Sequence, residues 1–68
     1  MREVVIRDGT IRLGQFLKLA DLVDAGGDAK VLLAQEAVLV NGDAEVRRGR
    51  QLQRGDVVTV GDDRVRVG

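Results

Sequence analysis

The pair Asn41-Gly42, set between Val38-Leu39-Val40 and Asp43-Ala44-Glu45-Val46, constrains this 68-residue chain more than any other feature. A two-residue type I′ turn needs φ > 0 at both central positions, and Asn-Gly is the dipeptide that tolerates this best. A β-hairpin is therefore expected, with Val40 facing Asp43, Leu39 facing Ala44, Val38 facing Glu45 and Ala37 facing Val46. Both faces of that ladder are partly apolar, so alternation alone leaves open which one is buried.

On either side of the hairpin the hydrophobic period differs. Upstream, Leu13, Phe16, Leu17 and Ala20 fall at the i, i+3, i+4, i+7 spacing of a helix with one buried face. Asp21 to Gly27 then forms a connection, because the paired glycines of "DAGG" interrupt a helix. A second short helix is expected from Asp28 to about Gln35, with Ala29, Leu32 and Leu33 on one face. Downstream the strands are short and the turns tight: a turn at Gly55-Asp56, a strand over 57–60, a turn over 61–63 and an edge strand over 64–67. A further edge strand over 3–7, around Val4-Val5-Ile6, ends at Asp8-Gly9. The fold class that follows is α+β, two short helices packed on a small, mostly antiparallel β-sheet, and the chain reads as a single domain over residues 1–68.

A chain this short buries only about 60 % of the surface its unfolded form exposes, so its stability rests on few core residues. Cysteine is absent, which excludes a disulfide framework and thiolate metal sites and suits a reducing, cytoplasmic setting. Histidine is absent too, which removes the commonest general base and metal ligand. No phosphate-loop, dinucleotide or nucleophile signature is present, and Asp62-Asp63 reads as a pair of solvated turn formers. No apolar run approaches the roughly 20 residues of a membrane-spanning helix. The expectation is a complete, soluble, non-catalytic protein without cofactor, metal, membrane or small-molecule substrate.

Charge is balanced, 11 Lys+Arg against 11 Asp+Glu, but unevenly placed. From Arg47 to Arg54 the chain carries Arg47, Arg48, Arg50 and Arg54 and no acid. The plain reading is a solvated loop, with Arg47 opposite Glu36 across the hairpin as a possible ion pair. Arg48 and Arg50 have no such partner in view, and like charges packed together are better explained if phosphates neutralise them. "AGGDAK", residues 25–30, admits two readings as well: a phosphate seat of free backbone N–H groups with Lys30 one turn in, or a simple reversal with Asp28 at the helix start. The one aromatic, Phe16, sits at a core position, so stacking of unpaired bases is not expected. Recognition of structured RNA by shape, through phosphate and 2′-hydroxyl contacts, is the remaining mode.

"RLGQFLKLADLV", "GGDAKVLLAQEAVLVNG" and "RRGRQLQRGDVVTV" together resemble the RNA-binding domain named after the fourth protein of the small ribosomal subunit, the S-four domain, and especially its short stand-alone bacterial members. The likeness covers residues 11–60 and is carried by Arg12-Leu13 with Phe16-Leu17, by Ala29-Lys30, by the V-x-V-N-G of residues 38–42 and by Gly55-Asp56. It departs at Gly14, where many members have Asp, and at Ala37, where glycine is common. The resemblance implies an alpha-L arrangement of two helices on a small sheet, with RNA along the helices and the following hairpin and loop. By position it implies contacts from Arg12, Lys18 and Lys30, backbone N–H from Gly27, and Arg47, Arg48 and Arg50 from the loop. Structured RNA, ribosomal RNA or ribosomal particles, is the partner so implied.

Two other functions fit parts of the sequence. A β-grasp sulfur carrier shares "VLVNGDAEV", a late "GDVVTV" and a terminal Gly68, but such carriers end in Gly-Gly and begin with a hairpin. A protein-interaction module for an acidic partner would use the same arginines.

Overall fold

The computed structural model describes residues 1–23 and 29–68. Along the chain the elements are β1 (Arg2–Val4), β2 (Thr10–Arg12), α1 (Leu13–Leu19), α2 (Ala29–Ala34), β3 (Val38–Val40), β4 (Asp43–Ala44), β5 (Gln51–Gln53), β6 (Val57–Val60) and β7 (Asp63–Val67). Five strands form one sheet in the order β1-β7-β6-β3-β4, and β2 pairs with β5 in a separate two-stranded sheet. Every pairing is antiparallel except β1 with β7. The α+β expectation holds.

The hairpin forms in the expected register, Val40 opposite Asp43 and Leu39 opposite Ala44. Asn41 and Gly42 take φ of 53° and 89°, as the type I′ turn demands. The turn is also fastened sideways: the Asn41 Oδ1 accepts the Val57 N–H at 2.9 Å, and its Nδ2 donates to Asp56 at 3.1 Å. The face left open by the sequence is decided by β6. Val38 lies opposite Val60 and Val40 opposite Val58, while Val58 in turn faces Val65 of β7. Val38, Val40, Val58, Val65 and Val67 are therefore buried together, and Leu39, Thr59 and Arg64 line up on the other side.

Against that valine floor sit Leu13, Phe16, Leu17 and Ala20 from the first helical segment and Ala29 and Leu33 from α2, all buried, with Leu52 of β5 and Ile6 completing the cluster. Both helices end in the same way. Asp21 (φ 59°) and Glu36 (φ 55°) take left-handed conformations. Each is followed by an N–H reaching back five residues, Leu22 to the Leu17 carbonyl at 2.9 Å and Ala37 to that of Leu32 at 3.3 Å. Each left-handed residue itself donates three residues back, Asp21 to Lys18 at 3.1 Å and Glu36 to Leu33 at 3.0 Å, completing a Schellman pair of bonds. Glycine usually fills that position; here two acids do.

Three expectations are corrected. The strand expected over 64–67 begins at Asp63 and is internal rather than an edge, because β1 adds in parallel beside it, Arg2 next to Val65 and Val4 next to Val67. The first strand covers Arg2–Val4 rather than 3–7. Its continuation is tied to the last residue, the Ile6 N–H donating to the Gly68 carbonyl and the Gly68 N–H to that of Val4, each at 2.8 Å. Gly68 is thus sewn into the sheet, and β1 and β2 do not pair with each other. Finally, the β2–β5 pair was not expected. Its strands are three residues long with one inward residue each, Ile11 and Leu52, too short to display alternation.

Candidate nucleic-acid interface

The small sheet of β2 and β5 has a direct consequence for the arginine-rich segment. It brings the residue before α1 alongside the residue after the loop, Arg12 opposite Gln51, so the loop over 45–50 is folded onto the start of α1. Two of the N–H groups that a helix leaves unpaired at its start are then taken by loop carbonyls. Leu13 donates to Arg50 at 2.8 Å and Gly14 to Arg48 at 2.9 Å. No side chain caps this helix; the loop does it. Gly14 eases the loop's approach, since a Cβ there would lie 3.3 Å from the Arg48 Cβ and the loop would have to give by a few tenths of an ångström.

Between this loop and the two helices lies an open cleft of about 360 Å³ lined by Arg12, Gly14, Gln15, Lys18, Ala29, Lys30, Arg48 and Gly49. Four cations from four parts of the chain converge there, and among the described residues no carboxylate lines the cleft. Arg12 comes from the end of β2, Lys18 from the last turn of α1, Lys30 from α2 and Arg48 from the loop. Among the described residues none of these four side chains forms an ion pair or a hydrogen bond. The walls between them are small, Gly14, Ala29 and Gly49.

The structure separates the sequence-expected site residues into three groups. Arg12, Lys18, Lys30 and Arg48 meet at the cleft. Gly27 lies outside the described residues, as does the phosphate-seat segment around it. Arg47 and Arg50 turn to Glu45 instead. Arg47 places Nε 3.2 Å from Oε2 and Nη2 3.2 Å from Oε1, and Arg50 places Nη1 3.1 Å from Oε1. The expected Arg47–Glu36 pair is not formed. The ladder stops at Ala44, and the Glu45 carboxylate draws the chain aside by accepting the N–H groups of Val46 and Arg47 at 3.0 and 3.2 Å. Arg54, the last of the four clustered arginines, donates to the carbonyls of Ile6 and Arg7 at 3.0 and 3.4 Å. So three of the four hold the protein together, and Arg48 alone is turned to the cleft.

Glu45 is the residue that sequence reasoning missed. It is only 6 % exposed, the one buried charged residue among those described. A buried carboxylate must be hydrogen-bonded and paired to be tolerated. The Arg47 guanidinium, then the Arg47 backbone N–H and Arg50, hold its carboxyl down at about 2 against the opposing effect of burial. Glu45 in return raises the pKa of Arg47. The only signal in the sequence is position: it is the last acid before the arginine run and sits opposite Val38, on the face that proves to be buried.

Comparison with known proteins gives the family. The family described as the S4 domain matches residues 4–68. A protein of Bacillus subtilis (strain 168) named "Probable ribosome maturation protein RlbA" is 56 % identical over 50 residues, covering 74 % of this chain and 70 % of that relative. The match extends beyond the motifs at residues 12–17, 29–30, 38–42 and 55–56 to both small sheets and the terminal strand, and with two helices packed on a mostly antiparallel sheet behind it, the chain belongs to the S4 domain family.

Proposed function

We propose that this protein is a non-catalytic RNA-binding protein of the cytoplasm that recognises structured ribosomal RNA and acts in ribosome maturation. The observation that carries the reading is the cleft: Arg12, Lys18, Lys30 and Arg48 around one concavity with small walls and, among the described residues, no acid in its lining. Cations so arranged suit phosphates, which impose charge and spacing but no base identity. The only aromatic, Phe16, is fully buried, so the surface offers no platform for unpaired bases. Recognition then depends on the shape of a folded RNA. The B. subtilis relative's name supports a ribosomal target. In this reading the whole of residues 1–68 forms one RNA-binding domain, with Arg12, Lys18, Lys30 and Arg48 touching phosphate, Gly27 offering backbone N–H, and the loop bearing Arg47 and Arg50 forming the rim.

The test is crosslinking in cells followed by sequencing of the bound RNA. Enrichment of one region of ribosomal RNA, lost when Lys30 and Arg48 are changed to Gln, is the expected result. Recovery of no RNA above background would overturn the reading.

A further inference from the structure

An arginine in a basic loop is ordinarily counted as a phosphate contact, yet the three arginines of the 45–50 loop are not equivalent. Glu45 is fixed by the sheet, its N–H donating to the Val38 carbonyl at 3.0 Å, and its two carboxylate oxygens receive five donors from the next five residues. A carboxylate has about four lone-pair positions, so this one is saturated. Arg47, though 73 % of its side chain is exposed, commits its Nε and Nη2, one of the two edges that a guanidinium can offer to a phosphate in bidentate fashion. Arg50 is held by the same oxygen as the Nη2 of Arg47, and only 34 % of its side chain is exposed. Arg48 lies between them in sequence and shares none of this: its carbonyl caps α1, its Cβ rests against Gly14, and its side chain lines the cleft.

We infer that Glu45 is a positioning residue that sorts the loop's arginines, holding Arg47 and Arg50 to the protein so that Arg48 alone serves the RNA. The inference rests on the RNA-binding reading above and deepens it. It means that the number of phosphates neutralised is set by an acid outside the interface, and that the loop arrives at the RNA already shaped. The sorting also limits non-specific attraction, since the single Glu45 carboxylate offsets one of the two guanidinium charges and weakens their pull on arbitrary polyanions.

The conservative variant Glu45→Gln keeps an amide oxygen to accept the Val46 and Arg47 N–H groups but removes the charge that retains the guanidinium groups. The experiment is a salt titration of binding to a hairpin transcript of ribosomal RNA, with unfolding curves on the same samples. Log affinity against log salt should steepen in Glu45→Gln by about 0.7 to 0.9 for each arginine released, about 1.5 for both. Adding Arg47→Gln and Arg50→Gln to that variant should return the slope to the wild-type value. A lost structural prop would lower stability without steepening the slope. A folded Glu45→Gln protein with the wild-type slope, or a triple variant with a shallower slope than wild type, overturns the inference while leaving the RNA reading intact. Absence of salt-dependent binding by the wild type overturns both.

Discussion

Replacing Lys30 and Arg48 together by Gln tests the cleft most directly. They stand on different elements, α2 and the loop, so a shared effect on binding cannot come from distortion of a single segment. If Arg12, Lys18, Lys30 and Arg48 each neutralise one phosphate, the slope of log affinity against log salt is four times 0.7 to 0.9, or about −3. Raising salt from about 50 to 200 mM then weakens wild-type binding roughly sixty-fold. The double variant has half the contacts, a slope of about −1.5, and loses roughly eight-fold over the same range. Stability should change by less than about 0.5 kcal/mol, because both side chains are exposed and the carbonyl of Arg48, which caps α1, survives the substitution. Fluorescence anisotropy of a labelled ribosomal RNA hairpin across a salt series gives the slopes, and thermal melting of the free protein controls for folding. Equal slopes for wild type and a folded double variant would refute the assignment of these cations to phosphate.

Phe16→Ala should cost about 3 to 5 kcal/mol, since Phe16 is fully buried in the core; a chain of this size has roughly 3 to 10 kcal/mol in total, so circular dichroism should show a largely unfolded or barely folded protein. Glu36→Gly should stabilise by about 0.5 to 1 kcal/mol in denaturant titration, because a left-handed L-residue costs about 1–2 kcal/mol and the added freedom of glycine in the unfolded chain takes back part of that. The Glu45 carboxyl titrates at about 2 in the folded protein against an ordinary 4.5, so its contribution is complete above pH 4.5 and is lost as pH falls toward 2. Stability measured across that window should decline, and Glu45→Gln should flatten the decline; an equally steep acid limb in the variant would contradict the pairing. Asn41→Ala should lose about 1 to 3 kcal/mol through the two side-chain bonds to Asp56 and Val57, read as a lowered melting temperature.

Local chemistry was legible wherever one dipeptide or one period decides the outcome. Asn41-Gly42 dictated a type I′ hairpin and its register because few other backbones accept two consecutive positive φ angles. Leu13, Phe16, Leu17 and Ala20 declared a helix and its buried face, and all four are buried. Arg12, Lys18 and Lys30 were singled out through the family's motifs, and the structure brings all three to the lining of one cleft. What the linear order could not decide was which partner each long, flexible side chain would find. Glu36 was near Arg47 on the extrapolated ladder, but the ladder ends at Ala44, and Glu45, buried by the pairing of β3 with β6, was closer and could offer backbone-fixed oxygens. Likewise β7 became internal only because the N-terminal strand joined it in parallel across the length of the chain. Turns and helices depend on neighbours a few residues away, which the sequence displays. Strand order, the face a hairpin buries and the division of four arginines into three that hold the fold and one that faces the cleft depend on contacts between distant segments, and those exist only once the core has closed.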